Sequence, residues 1–149
     1  MSERANGEAT VLLVEDNPGD VRLVEEAFRA AESETTILVV SDGRAALDVM
    51  AGRGEYVDAP QPDLVLLDLN LPRLDGGELL AELKADPDLR RIPVVVLTSS
   101  RMPEDVVRAY DRHANAYLTK PVDPAAFIDA IEAIEQFWLG TAELPGVLD

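Results

Sequence analysis

Four short apolar runs of this chain each end on residues that could do chemistry. These residues are, in chain order, Glu15 with Asp16, Asp68, Thr98 and Lys120. Short runs of this composition are typical of strands buried in a parallel sheet. Ligand sites of open α/β folds lie at the carboxyl ends of such strands. We therefore expect these side chains to meet at one edge of a sheet.

Three carboxylates that converge at one edge repel one another unless a proton or a cation intervenes. A divalent ion removes the conflict at Glu15, Asp16 and Asp68. Mg²⁺ suits such a site because it prefers hard oxygen ligands and keeps several of its waters. The sequence has no cysteine and one histidine, His113, so a zinc site is not indicated.

Phosphoryl transfer needs a metal of this kind, a nucleophilic oxygen and donors for the transferred oxygens. Asp68 can serve as the nucleophile and form an aspartyl phosphate. Lys120 supplies a mobile cation and the Thr98 hydroxyl a neutral donor, and the backbone amides of Asn70 and Ser99 could add further donors. Each residue alone is ordinary in a turn or cap, but the set at successive strand ends favours this function.

The elements that must position these residues alternate in type along the chain. The predicted strands span 10–15, 36–40, 63–68, 93–98 and 115–119. The predicted helices span 18–32, 43–52, 76–85, 103–112 and 124–138. Five such alternations predict an α/β fold with a doubly wound parallel sheet.

Capping residues indicate where several helices begin. Asn17-Pro18 and Asp123-Pro124 each combine an N-cap side chain with proline at the first helical position, and Asp75 has a glutamate at capping-box spacing. The last helix carries one apolar stripe, which we interpret as core packing: Phe127, Ile131, Ile134 and Trp138. Residues 53–61 are predicted to form a surface loop without chemistry of its own.

Composition limits the function classes. The 149 residues carry a formal net charge of −16 with a pI near 4.3, which disfavours binding to nucleic acid or to anionic membranes. The first ten residues are polar and lack a hydrophobic signal core, so a cytoplasmic location is expected. Lysine occurs only at Lys84 and Lys120 among many acids, which suggests a salt-rich cytoplasm as a hypothesis.

The predicted domain organisation has three parts. Residues 1–9 form a flexible N-terminal tail, residues 10–138 form one compact domain, and residues 139–149 form a C-terminal extension too short for a second domain.

The strand-end motifs together resemble the receiver domains of two-component response regulators. The resemblance runs from about Val11 to Glu135. Its motifs are Val14-Glu15-Asp16-Asn17, Leu66 to Pro72 with Asp75-Gly76, Val96-Leu97-Thr98-Ser99, and Tyr117-Leu118-Thr119-Lys120-Pro121.

This resemblance implies a flavodoxin-like sheet of strand order 2-1-3-4-5 and a phosphoryl group received on Asp68 from a histidine kinase. It also implies a role for each site residue: Asp16, Asp68 and the Asn70 carbonyl bind Mg²⁺, Glu15 acts mostly through water, Lys120 contacts the phosphoryl group, and Thr98 and Tyr117 form the switch pair. The surface of the fourth helix, fifth strand and fifth helix would then change shape and signal to a downstream protein. The Lys120–Pro121 bond is usually cis in the family.

A closer resemblance is to the small single-domain regulators paired with phytochrome-type histidine kinases. It rests on four segments, which are Glu15 to Asp20, Pro60-Gln61-Pro62-Asp63, Tyr110-Asp111-Arg112-His113, and Phe137-Trp138-Leu139 through Leu144-Pro145. Such regulators also serve other sensor kinases, and the resemblance implies a homodimer that uses the fourth and fifth helices and the tail. Glu15 replaces the aspartate more common across receivers, and His113 stands where many have glycine.

Other interpretations stay open from the residues alone. An aspartate-nucleophile phosphohydrolase usually has a second acid two residues after the nucleophile, where this chain has Asn70. A receiver-like interaction module that never accepts phosphate is a further alternative. Within the leading interpretation, which is a signalling switch rather than an enzyme, a phosphorelay shuttle competes with a terminal regulator. No output domain is expected after the receiver-like segment, so either one would pass the signal on through a partner.

Overall fold

The computed structural model describes residues 9–32 and 34–145. Within them, five parallel strands form one sheet: β1 (Thr10–Val14), β2 (Thr36–Val40), β3 (Leu64–Leu67), β4 (Val94–Thr98) and β5 (Ala116–Thr119). Their spatial order is β2-β1-β3-β4-β5. The predicted fold and strand order are confirmed, and the strand ends agree with the predicted ones to within one residue.

Five α-helices cover the sheet: α1 (Pro18–Ala30), α2 (Gly43–Ala51), α3 (Gly76–Ala85), α4 (Pro103–Asp111) and α5 (Pro124–Ile134). The predicted caps are present, since the side chains of Asn17, Asp75 and Asp123 accept amide protons from the first helical turns. Each of these helices follows a strand, so the caps set where the loops of the sheet edge end.

Successive residues of the central strands point to opposite faces of the sheet. Leu12, Val14, Val65 and Leu67 join one buried apolar cluster with residues of α2, α3 and α4. Val11, Leu13, Leu64 and Leu66 join the other, with residues of α1 and α5. Burial on both faces explains why these strands are continuous apolar runs rather than alternating ones.

The predicted last helix, 124–138, is wrong beyond Ile134. A π-helical segment, Glu135–Thr141, continues the chain, and the amide of Ala142 donates to the carbonyl of Phe137 at 2.7 Å. The wider turn lets the adjacent residues Trp138 and Leu139 both pack against the α1/α5 cluster. Apolar spacing alone does not distinguish this turn from an α-helical one, so the pattern predicted a regular helix.

The ends of the chain differ in how far they are described. Residues 1–8 of the predicted tail and residues 146–149 of the predicted extension lie outside the described residues. Ala9 is buried, and its carbonyl accepts the amide of Thr36 at 2.8 Å. The helical run passes the predicted boundary at residue 138 and ends at Thr141. Among the helices described, none combines the length and apolar character needed to cross a bilayer.

A substitution at His113 tests the backbone at the end of α4. His113 has φ of 71°, in the left-handed region where a Cβ is unfavourable, and its side chain is exposed. We expect His113→Gly to raise the free energy of unfolding by about 1 kcal/mol, because relief of the strained conformation exceeds the added entropy of the unfolded chain. Urea denaturation measures the change. His113→Ala keeps the Cβ and serves as the control; an equal gain in both variants would contradict the explanation.

Candidate functional site

The pairing of β1 with β3 brings three carboxylates together at the carboxyl edge of the sheet. Val14 and Leu67 are register partners, so the residues that follow them lie side by side. One carboxylate oxygen from each of Glu15, Asp16 and Asp68 lies within 4.8 Å of the other two. Glu15 and Asp68 are buried, whereas Asp16 is exposed. These three residues, called the acidic trio below, could together hold a divalent cation.

The Lys120 ammonium lies among these acids. Its Nζ is 2.7 Å from Oε1 of Glu15, 2.8 Å from Oδ2 of Asp20 and 3.3 Å from Oδ2 of Asp68. The Lys120 side chain is 9% exposed, so the pairs are largely shielded from water. Burial by itself lowers the pKa of Lys120, but hydrogen bonds to Asp20 and Glu15 outweigh it and raise the pKa above the ordinary value. Lys120 is therefore a permanent cation at this site.

Glu15 titrates unusually because it is buried next to another acid. Burial, reinforced by the negative charge of Asp68, raises its pKa to about 7 against the opposing hydrogen bond from Lys120. Its second oxygen accepts the amide of Asn17 at 3.1 Å. Burial and the charge of Asp68 therefore both favour the protonated form of Glu15.

This shift predicts how stability depends on pH when metal is removed by a chelator. The unfolded carboxyl keeps a pKa near 4.5, so between that value and about 7 the folded protein binds more protons and the contribution of Glu15 to stability falls as pH rises. We expect Glu15→Gln to gain roughly 1–2 kcal/mol more in unfolding free energy near pH 8 than near pH 5. Urea denaturation at both pH values measures it.

The exposed acid Glu26 supplies the control, because Glu26→Gln removes a charge from α1 outside the site. Equal gains for Glu15→Gln at both pH values would contradict the raised pKa.

Thr98 and Tyr117 lie on neighbouring strands near this edge. Thr98 is fully buried, and among the described residues its hydroxyl is a buried side-chain oxygen without a hydrogen-bond partner. Half-buried Tyr117 donates its hydroxyl to the carbonyl of Ser100 at 3.1 Å. A buried hydroxyl that lacks an acceptor is costly, so Thr98 has a donor ready for an added oxygen.

The loop after β3 is anchored on both sides of Asn70. The amide of Asn70 donates to Oδ1 of Asp68 at 3.2 Å, so the predicted donor faces the predicted nucleophile. Arg73 pairs with Asp42 at 2.9 Å, which ties the loop to the start of α2. Gly76 donates its amide to the carbonyl of Leu69 at 3.0 Å and closes the loop.

The structure brings most of the predicted site residues together. Ser99 is exposed, and Tyr117 points to the Ser100 carbonyl. The Lys120–Pro121 bond is trans, since the described residues contain no cis peptide bond, so the cis expectation is wrong here. The trans isomer is the lower in free energy for most bonds that precede proline.

Sequence reasoning did not identify Asp20 as part of the site. Its carboxylate contacts Lys120, which lies a hundred residues further along the chain. An acid in the first turn of a helix is ordinarily explained by the helix dipole, which gives no reason to look further. The available signal is its position, because Asp20 lies in the first turn of a helix whose cap, Asn17-Pro18, directly follows the two strand-end acids.

Comparison with known proteins places this geometry in a family. The model of the response regulator receiver domain matches residues 11–132. Response regulator Rcp1 of Synechocystis sp. is 46% identical over 97% of this chain and 99% of its own length. The probable methanogenesis regulatory protein FilR2 of Methanothrix harundinacea is 42% identical over 91% of this chain and 87% of its own.

Solved structures agree with the sequence comparison. The phosphorylated cyanobacterial phytochrome response regulator RcpA superposes with a TM-score of 0.90 at 45% identity, covering 93% of this chain and 99% of RcpA. The Mn²⁺-bound form of Rcp1 superposes with a TM-score of 0.89 at 46% identity, covering 93% of this chain and 99% of that one. The chain therefore belongs to the response regulator receiver domains of two-component signalling.

Proposed function

We propose that this protein is a phosphorylation switch that accepts one phosphoryl group on Asp68 from a sensor histidine kinase. The observation that carries the proposal is the convergence of the buried Asp68 carboxylate with Glu15, Asp16 and Lys120. In the transfer, an Asp68 oxygen forms a bond to phosphorus while the bond from phosphorus to the donor's imidazole nitrogen breaks. Lys120 offsets the charge of the transferred group, and the Asn70 amide and Thr98 hydroxyl donate to its oxygens.

The residues present fit a bound Mg²⁺. The acidic trio offers hard oxygen ligands within 4.8 Å of one another. Burial first, and then the charge of Asp68, raises the pKa of Glu15, and a cation at the site would favour its ionised form. Asp16, Asp68 and the Asn70 carbonyl would hold the ion, with Glu15 acting through water. Bound there, Mg²⁺ supplies charge neutralisation at the transferring oxygens. The Mn²⁺-bound form of the relative Rcp1 supports a divalent site.

The switch would start from the unpartnered Thr98 hydroxyl. A phosphoryl group adds roughly −1.5 to −2 charges and three acceptor oxygens, which attract this hydroxyl. Its inward movement gives Tyr117 space to rotate, and Tyr117 would leave its hydrogen bond to Ser100. A groove of about 630 Å³ between α3 and α4 gives α4 room to shift. The result is a population shift at the α4-β5-α5 surface.

The partners proposed are a phytochrome-like sensor kinase, a downstream protein and a second copy of the chain. The relative RcpA is a phytochrome response regulator, which supports a phytochrome-like kinase as the partner. The similar FilR2 is instead a probable methanogenesis regulatory protein. Val107, Tyr110 and Phe137 are exposed apolar residues of α4 and the π-helical segment, where the homodimer is expected. We continue to predict a cytoplasmic location and no binding to nucleic acid or membranes. The relay shuttle and the terminal regulator both remain open as alternatives.

Incubation with acetyl phosphate tests this function. Intact-mass spectrometry should detect one added phosphoryl group with Mg²⁺ present and none after chelation, and hydroxylamine should remove it because acyl phosphates react with this nucleophile. A protein that stays unmodified under these conditions, and with every histidine kinase of its source organism, is not a phosphoryl acceptor. Turnover of small phosphate monoesters would instead support the phosphohydrolase alternative.

A further inference from the structure

Asp20 lies in the site although it is outside the acidic trio. The three contacts of the Lys120 ammonium in the described structure are to carboxylates of Glu15, Asp20 and Asp68. An ammonium group has three donors, so these contacts can use all of them. Two of the partners, Glu15 and Asp68, belong to the acidic trio. An ion held by the trio would compete with Lys120 for both, and Asp20 would remain.

The position of Asp20 follows from local structure. Asn17 caps α1, and its Oδ1 accepts the amides of Gly19 and Asp20 at 2.9 and 3.1 Å. A Cβ at position 19 would lie 3.2 Å from that oxygen, so glycine there leaves room for the cap. The cap therefore orients the first turn, from which the Asp20 carboxylate reaches Lys120 at 2.8 Å.

We propose that Asp20 is a positioning residue that holds the Lys120 ammonium in place while a metal ion and a phosphoryl group engage Glu15 and Asp68. This inference rests on the proposed function. Without Asp20, the flexible lysine either moves toward solvent or pairs more closely with Asp68, the acid that must react. Both outcomes remove the preorganised charge from the transferring oxygens, and preorganisation is what such groups contribute to a transition state.

Three variants test the proposal kinetically. Asp20→Ala should slow phosphorylation by acetyl phosphate at saturating Mg²⁺ by about tenfold, the size expected for one lost charge-assisted hydrogen bond. Asp20→Asn keeps an acceptor and should fall between Asp20→Ala and the wild type. Glu26→Ala removes the same charge from an exposed position of α1 and should leave the rate unchanged. An unchanged rate in Asp20→Ala, or an equal loss in Glu26→Ala, would overturn the assignment.

A double variant separates positioning from a general effect of charge. If Asp20 acts through Lys120, adding Asp20→Ala to Lys120→Met should cause no further slowing beyond Lys120→Met alone. A further tenfold loss in the double variant would mean that Asp20 acts independently of the lysine.

A spectroscopic readout keeps this inference distinguishable from the proposed function. The sequence has two lysines, so protein labelled with carbon-13 at lysine Cε gives one signal for Lys84 and one for Lys120. Asp20→Ala should shift the Lys120 signal, while Lys84, which donates to the carbonyls of Arg90 and Ile92, is the internal reference. An unmoved Lys120 signal would refute the pairing of Asp20 with Lys120, even if Asp68 accepts a phosphoryl group. A moved signal would support the pairing, even if Asp68 accepts none.

Discussion

Asp68→Asn is expected to abolish phosphorylation, because the amide has no anionic oxygen to attack phosphorus. The substitution leaves the shape of this buried position nearly unchanged, and the amide of Asn70 can still donate to the new carbonyl oxygen as it does to Oδ1 of Asp68. It also removes one of the acids that repel Glu15, so the folded protein should be at least as stable as the wild type. Loss of phosphorylation would then not be a consequence of unfolding.

Mass spectrometry after incubation with acetyl phosphate and Mg²⁺ gives the measurement. Asp58 lies in the exposed loop after α2, so Asp58→Asn is a matched control that should accept phosphate at the wild-type rate. If Asp68→Asn still gained a hydroxylamine-sensitive phosphoryl group, another side chain would be the acceptor. The proposed roles of Lys120 and Thr98 would then lose their basis.

Gly76→Ala is expected to cost about 3 kcal/mol of unfolding free energy, near the upper end of typical overpacking penalties. A Cβ at Gly76 would overlap the carbonyl oxygen of Asp68 and would lie 2.6 Å from Cα of Leu69. Both obstacles are backbone atoms at the end of β3, so they cannot move without displacing the loop that carries the site. The first turn of α3 therefore packs directly on the residue that we propose as phosphoryl acceptor.

The neighbouring glycine provides the control for this prediction. A Cβ at Gly77 would meet Nη1 of Arg112, the far end of a flexible side chain that can move away. Gly77→Ala makes the same change of helix propensity in the same turn, and we expect it to cost less than about 1 kcal/mol. Urea denaturation of the two variants isolates the backbone overlap. Equal losses in both would show that the cap at Asp75, rather than the contact with Asp68, governs this turn.

Much of the fold was predictable because its signals are local. Continuous apolar runs indicate strands buried on both faces, and Asn17-Pro18 and Asp123-Pro124 predict helix starts. The π-helical segment was not predictable, since Trp138 fits the apolar spacing of an α-helix as well as that of a wider turn. The left-handed His113 was also unexpected, because glycine is the usual residue at such a helix end.

By itself the sequence determined which residues could do the chemistry, because parallel strands bring their carboxyl ends to one edge and polar residues at those ends must gather there. That reasoning brought Glu15, Asp16, Asp68, Thr98 and Lys120 to the same edge without coordinates. Only the tertiary structure decided which acids the ammonium of Lys120 contacts, and it added Asp20. The contact between Asp20 and Lys120 depends on how the start of α1 lies beside the end of β5. The spacing of the two residues along the chain does not predict how close they come in the fold.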